Sequence, residues 1–397
     1  MRILYFADIR FPLERANGIQ TMETCHALAE RGHEVRLVVR PDTQGPARDP
    51  FEFYGLPRSS GLIVERAPAP RTPPAAVRMA YLGVAVGRAV GRLRADAILT
   101  RDLGLASLLL RIPRGARPPL VYESHGYAPD VAAALPDLVA TARPASASKR
   151  ARLERREARV WRSAEGYVTI TQGLADTLCE RYGPRPRLAV VPDGTRLRPE
   201  AQPASCGGTR PVTVGYAGHL YAWKGVDVLL EALARVPEVR GLIVGGHGGE
   251  PDLARVKALS ERLGLAGRLT LTGLVAPPRV AELLRSADIL VLPNQESAIS
   301  TRFTSPLKLF EYMAACRAIV ASDLPAVREV VTHETDVLLA APGDPESLAG
   351  AIRRLARDEA LRERLAAAAR ARVEHYTWER RAARLEALLR EVAGASR

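Results

Sequence analysis

Short apolar runs recur along this chain with helix-like stretches between them, and the series starts afresh halfway along. In the first half the runs fall at residues 3–6, 34–39, 61–65, 97–99, 120–122, 167–170 and 188–191, with a helical pattern at 19–31. In the second half they fall at 212–216, 241–244, 269–271, 289–292, 318–321 and 336–339, and the chain from 347 onward is almost wholly helical in pattern. Alternation of strand and helix dictates a parallel, doubly wound sheet. Two such series in 397 residues predict an α/β protein of two doubly wound domains. The loose stretch at 196–210, with its prolines and glycines, reads as the linker, so the domains are expected at 1–200 and 205–375. Segments around 41–58 and 127–148 read as loops or short insertions. Ligands of such sheets bind at the carboxyl ends of the strands, and two facing sheets would place them in the cleft between.

Composition narrows the setting. The four cysteines, Cys25, Cys179, Cys206 and Cys316, have no C-x-x-C spacing and suggest reduced thiols with no zinc site or disulfide frame. The opening apolar run is too short for a signal peptide, and the most apolar stretch, 75–93, is broken by Arg78, Arg88 and Arg92. The expected location is the cytoplasm. Net charge is +13, and it is uneven: residues 1–200 carry 31 Lys/Arg against 21 Asp/Glu. The densest cluster is Lys149, Arg150, Arg152, Arg155, Arg156, Arg159 and Arg162, whose spacing with Glu154 and Glu157 fits a helix laced by i,i+4 ion pairs. No aromatic-interleaved basic stretch points to nucleic acid, whereas peripheral attachment to an acidic membrane surface fits the basic half.

Only four of the 57 basic residues are lysines, and two of them stand at predicted helix starts, where a helix already carries partial positive charge. Lys224 lies in Trp223-Lys224-Gly225 and Lys308 in Ser305-Pro306-Leu307-Lys308. Cations there suggest a shared anion, such as a nucleotide diphosphate. Ser305 reads as the helix cap with Pro306 at the first helical position, leaving the amides of Leu307 and Lys308 for phosphate oxygens. Glu311, three residues on, shares a face with Lys308 and can accept hydrogen bonds from ribose hydroxyls, or simply pair with the lysine. Gly218-His219 follows one strand and Gly245-Gly246-His247 another, both as turns that let backbone approach phosphate. His125, in Glu123-Ser124-His125-Gly126 at a strand end, is the histidine best placed to serve a reacting sugar, or is simply a satisfied cleft residue.

In order and spacing these blocks resemble a family 4 glycosyltransferase of the GT-B type, two Rossmann-like domains facing across a cleft. The likeness runs through Asn17-Gly18-Ile19-Gln20, Ser124-His125-Gly126, Val191-Pro192-Asp193-Gly194, Gly218-His219-Leu220 with Lys224-Gly225, Phe310-Glu311-Tyr312 and the late Tyr376-Thr377-Trp378. It implies retaining transfer from a nucleotide-diphosphate sugar, UDP- or GDP-linked, to a glycan or lipid-linked acceptor in cell-surface polysaccharide or glycoconjugate synthesis, without cofactor or metal. It implies that Lys224 neutralises the leaving diphosphate, Glu311 holds the ribose, and His125 touches the donor sugar. Gly18 and Ile19 would lie against donor phosphate or sugar, and helix 376–397 would pack back on the N-terminal domain. Gly218, His219, Gly245, Gly246, Ser305, Leu307 and Lys308 complete the implied donor set. Two departures stand out. His219 replaces the family's usual arginine, and Phe303 falls where the first of its two glutamates would be. A nucleotide-sugar epimerase of the same architecture, or a silent homologue acting as a binding subunit, remain as alternatives.

Overall fold

The computed structural model describes the chain except for residues 43–46, 69–73, 92–94, 139–142, 198–209, 247, 250, 304 and 396–397; of 74, 75, 137, 138, 277 and 298 it describes the backbone alone. The chain divides into two compact units. One comprises Met1–Ala133, Ala145–Asp193 and Trp378–Arg397, the other Ala134–Pro144 and Gly194–Thr377. Most of the stretch read as the linker lies outside the described residues.

The first unit holds seven strands: β1 (Arg2–Arg10), β2 (Glu34–Arg40), β3 (Leu62–Arg66), β4 (Ala97–Thr100), β5 (Leu120–Ser124), β6 (Gly166–Thr169) and β7 (Leu188–Val190). They pair in the order β3-β2-β1-β4-β5-β6-β7, every ladder parallel. The second unit holds β8 (Thr213–Ala217), β9 (Arg240–Val244), β10 (Leu269–Leu271), β11 (Ile289–Leu292), β12 (Ala318–Ser322) and β13 (Leu338–Ala340), in the order β10-β9-β8-β11-β12-β13 and again all parallel. Each order reverses direction once, between β1 and β4 and between β8 and β11. At such a switch point the connections leave to opposite sides and open a crevice at the strand ends.

Both faces of the second sheet are covered, so its central strand β11 is apolar at every position. Ile289 and Val291 of β11 and Val320 of β12 face one core, while Leu290, Leu292 and Ile319 face another. That is the period-two alternation of a strand buried on both sides. In the first unit the C-terminal helix Trp378–Gly394 supplies Ala382, Leu385, Leu388, Leu389 and Val392 to a core shared with Met22, Cys25 and Leu28 of the helix Ala16–Glu30.

Three local expectations need correction. The first helix begins at Ala16, three residues earlier than the pattern indicated, so Gly18, left outside that pattern, sits with Ile19 in its first turn. The segment 41–58 contains a helix, Pro50–Tyr54, because the Asp49 side chain accepts from the Glu52 amide and proline is at home in a first turn. The segment 127–148 contains the helix Ala128–Leu138 and the start of another, Ala147–Ser163. Its proline, Pro136, lies inside the helix and suggested a loop from sequence.

Candidate functional site

In the second unit, the crevice edge between β8 and β11 is built from backbone. After β8 the chain turns at Gly218 (φ 156°), and after β9 at Gly245 (φ 131°) and Gly246 (φ 96°). The Gly218 amide donates to the Val244 carbonyl at 2.9 Å and the Gly245 amide to the Gly273 carbonyl at 3.1 Å. A Cβ on Gly245 would stand 2.0 Å from the Gly218 carbonyl oxygen. The two glycine turns, separate motifs in the sequence, are therefore one interlocked surface that admits no side chain. His247 lies outside the described residues. The helix Leu307–Ala314 is fastened to the same place, since the Tyr312 hydroxyl accepts from the Ala217 amide at 2.8 Å.

Lys224 ends a 3-10 turn, Ala222–Lys224, ahead of the helix Val226–Ala234. Gly225 between them is left-handed (φ 72°), and a Cβ there would fall 1.8 Å from the Pro293 carbonyl oxygen, so the turn closes only with glycine. The Gln295 amide donates to the Trp223 carbonyl at 2.9 Å, tying the turn to the loop after β11. The sequence reading did not single out Gln295 and gave Tyr312 no role of its own, because their contacts here depend on pairing across the sheet. Lys224 Nζ lies 3.9 Å from the Trp223 ring centroid, a cation–π contact, and among the described residues it has no carboxylate partner. Burial, reinforced by the positive charge of Lys308, lowers its pKa to about 8. The two lysines thus face one electrostatic neighbourhood. Lys308 is paired with Glu311 at 2.7 Å, whereas Lys224 has no ion pair among the described residues. His219 stacks flat on Tyr221, ring centroids 5.0 Å apart, and its carbonyl accepts from the Tyr216 hydroxyl.

Ser305 does not cap the helix. Pro306 occupies the cap with no side-chain hydrogen bond, and the helix starts at Leu307. From one residue before the cap, a serine hydroxyl is too far back to serve the first-turn amides. Ser305 is instead buried. The Leu309 amide turns to the Pro306 carbonyl at 2.8 Å, whereas those of Leu307 and Lys308 meet no acceptor among the described residues. Phe303 is buried as well, as an aromatic in place of a carboxylate would be.

In the first unit the strand ends bring together a different set. His125 follows β5, and Arg101 follows the neighbouring β4. Glu123, wholly buried, bonds His125 Nε2 at 2.5 Å and accepts from Gln20 and Arg381, each at 2.6 Å. Arg101 donates to Gln20 Oε1 at 2.7 Å. Burial together with the Arg101 charge lowers the His125 pKa to about 4, although Glu123 pulls upward. Gly18 is packed so that a Cβ would meet the Leu13 carbonyl at 2.3 Å and the Tyr54 hydroxyl at 2.4 Å. Ile19 is half-buried beside it, against the core. Glu123, Gln20, Arg101 and Arg381 were not named as functional by sequence reasoning. Only the Glu-x-His spacing, which puts two side chains on one face of a strand, hinted at the first.

The basic helix also differs from its expectation. Glu154 turns inward to the hydroxyls of Tyr127 and Tyr182, and Glu157 to the Ala128 amide and Tyr167. No i,i+4 pairs form. Lys149, Arg150, Arg152, Arg155, Arg159 and Arg162 are exposed and without ion pairs among the described residues.

Residues 18–194 match the model of the glycosyl transferase 4-like domain, and residues 211–358 that of glycosyl transferases group 1. A D-inositol 3-phosphate glycosyltransferase of Xylanimonas cellulosilytica is 30% identical over 243 residues, 57% of each chain. A phosphatidyl-myo-inositol mannosyltransferase of Mycolicibacterium smegmatis is 36% identical over 177 residues, 43% of each chain. These matches span about half the length of the curated relatives. Among solved structures, a sucrose-phosphate synthase from Thermosynechococcus elongatus has a TM-score of 0.80 at 20% identity, covering 99% of both chains. Anabaena Alr3699/HepE in complex with UDP-glucose has a TM-score of 0.70 at 18% identity, covering 100% of this chain and 99% of that one. Likeness at such identity is likeness of fold. With its two halves matched by these two family models, the chain belongs to the family 4 glycosyltransferases of the GT-B type.

Proposed function

We propose that the protein transfers a sugar, with retention, from a UDP- or GDP-sugar to a hydroxyl of a glycan or lipid-linked acceptor. The observation that carries this reading is Lys224: a half-buried cation with no carboxylate partner among the described residues, beside Lys308, two unengaged helix amides and a side-chain-free glycine surface. In the transfer, the bond from the anomeric carbon to the diphosphate breaks and the acceptor oxygen bonds that carbon. The acceptor's proton leaves with the diphosphate. Charge gathers on the departing phosphate, where Lys224 and the Leu307 and Lys308 amides supply fixed positive potential without calling on a metal. Glu311, oriented by Lys308, is the proposed ribose acceptor. His125 is proposed to face the donor sugar, and Gly18 and Ile19 the phosphate or sugar, as the family resemblance implies. HepE is described with UDP-glucose and the two curated relatives with inositol-based acceptors, which supports a nucleotide-sugar donor and a polyol or lipid-borne acceptor.

A thermal-shift series with UDP, GDP, UDP-glucose, UDP-N-acetylglucosamine and GDP-mannose tests the donor. A ligand at 100 times its Kd adds about 2.7 kcal/mol to the folded state, so the matching nucleotide should raise Tm by a few degrees. No shift from any of them would sink the reading. Turnover of the donor without acceptor to an isomeric nucleotide sugar would favour an epimerase. Binding without turnover in the presence of membrane extract would favour a silent subunit.

The exposed arginines of the helix Ala147–Ser163 supply the surface for an acceptor carried on an anionic bilayer at the inner face of the membrane. No described helix is long and apolar enough to cross one. Each basic residue near such a surface contributes about 1 kcal/mol. Replacing Arg152, Arg155 and Arg159 together by glutamine should therefore weaken partition onto phosphatidylglycerol-containing vesicles about 100-fold. Unchanged co-sedimentation would remove this helix from membrane contact.

A further inference from the structure

In the first unit, side chains from three distant parts of the chain meet at one buried oxygen. Glu123 Oε1 takes the Gln20 amide, the Arg381 guanidinium and the His125 ring nitrogen Nε2, at 2.6, 2.6 and 2.5 Å. Arg381 is itself buried and fully engaged: it also donates to Thr24 Oγ1 at 3.1 Å, to the Val191 carbonyl at 2.7 Å and to the Pro192 carbonyl at 3.0 Å. Burial alone would favour a protonated Glu123. The Arg381 charge, the hydrogen bond from His125 and the Arg101 charge outweigh it and hold the carboxyl well below the usual range. An ionised carboxylate can only accept. The ring nitrogen bonded to it must therefore carry its proton, and that nitrogen is Nε2.

The ring itself stays neutral around pH 7. Its charged surroundings are Glu123 two residues back on β5, Arg101 at the end of β4, Arg381 from the C-terminal helix, and Asp193, which stands 3.8 Å from Arg381. Two guanidinium groups make a third cation unwelcome. A neutral imidazole protonated at Nε2 has a bare Nδ1.

We propose that Glu123, fixed by Arg381 of the C-terminal helix, is a positioning residue that locks His125 in the Nε2–H tautomer, so that Nδ1 accepts a hydrogen bond from a hydroxyl of the donor sugar. This assigns His125 the part of an acceptor. With its one ring proton committed to Glu123, it is not the acid that meets the leaving diphosphate. A site built to accept from a hydroxyl discriminates against a sugar lacking it, because the lone pair is left without a partner. The kinetic side of the inference rests on the donor-side role proposed for His125 above; the tautomer does not.

Nitrogen-15 NMR of the full chain with labelled histidine tests the tautomer directly, with His125→Asn identifying the His125 signals by their loss. At neutral pH, the expected spectrum has a proton-bearing Nε2 and a bare Nδ1. An imidazolium pattern, or a proton on Nδ1, would overturn the proposal. Glu123→Gln, whose amide can donate or accept, should release the tautomer and lower kcat on the order of 10-fold, with a smaller change in KM for the nucleotide sugar that gives the largest thermal shift. A wild-type kcat would overturn the positioning role. The wild-type spectrum decides the tautomer even if that variant does not fold. Asparagine places its oxygen where Nδ1 lies and glutamine places its amide where Nε2 lies, so His125→Asn should retain more activity than His125→Gln. The reverse order would count against the acceptor role. Wild-type rates from both would overturn the donor-side role together with the kinetic part of this proposal. A reversed tautomer with both variants impaired would overturn this proposal alone.

Discussion

Replacing Lys224 with alanine should lower turnover of the nucleotide-sugar donor about 100-fold, the usual scale for losing one fixed charge-stabilising group at a reacting centre. Stability should change little, because among the described residues the ammonium has no partner to abandon beyond the Trp223 ring. The effect also has a pH signature. Only the protonated amine can neutralise a diphosphate, and burial with Lys308 nearby sets its pKa at about 8. Donor affinity should therefore fall as pH rises through that value. The bound anion favours the charged amine, so binding near pH 8 should draw protons from the buffer. Calorimetry in two buffers of different ionisation heat measures that uptake, and Lys224→Ala should abolish it. Lys308→Ala removes the repelling charge, so the pH midpoint should rise even as overall affinity drops. A wild-type kcat for Lys224→Ala, or affinity flat across about pH 7–9, would refute the assignment.

Arg381→Ala is the substitution expected to damage the fold most, by about 3–5 kcal/mol, because it strands the buried Glu123 carboxylate without its counter-charge. Linkage gives the direction with pH. In the native protein the Glu123 pKa is depressed, so its contribution is present above the unfolded value and fades as pH falls through the folded one. Without Arg381, burial would dominate and raise the folded pKa. The remaining carboxylate would then destabilise increasingly as pH rises. Urea melts at acidic and neutral pH should show the gap between native and variant protein narrowing toward acid. Adding Glu123→Gln to Arg381→Met should recover part of the loss, since Glu123 is then no longer an orphan charge, whereas buried Asp193, 3.8 Å from Arg381, still loses its counter-charge. A double variant as unstable as the sum of the singles would mean that packing is what Arg381 contributes.

The strand series and the glycine turns were legible because their causes are local. An apolar run of four or five residues between helical patterns has few other uses, and β11, β12 and β9 lie where their sequences indicated. Lys224 and Lys308 could be singled out because a cation at a helix start contradicts the helix's own polarity. Helix beginnings were less secure. Ser305 has the composition of a cap and lacks the position, and the first helix runs three residues beyond its apolar pattern because its opening turn is held by the Gly18 amide on the Arg15 carbonyl. Glu154 and Glu157 were assigned to neighbouring arginines by helix periodicity, yet tyrosines on other elements claimed them. The Glu123–Arg381 pair spans 258 residues, and no periodicity encodes a partner at that distance. Buried charge in this protein is specified by tertiary packing, and only the completed fold reveals it.

The first unit begins at Met1 and is completed by Trp378–Arg397. During synthesis its sheet emerges early, but the helix that covers the Met22, Cys25 and Leu28 face is translated only after the second unit. Chains are made at about 5–20 residues per second, so that face waits for the whole second unit to be translated before its cover arrives. The second unit, with its glycine turns and Lys224, is continuous from Gly194 to Thr377 apart from one short segment supplied earlier, and can reach its native form sooner. Along the nascent chain the unit that holds Lys224 is thus fully translated before the unit that holds His125 receives its covering helix.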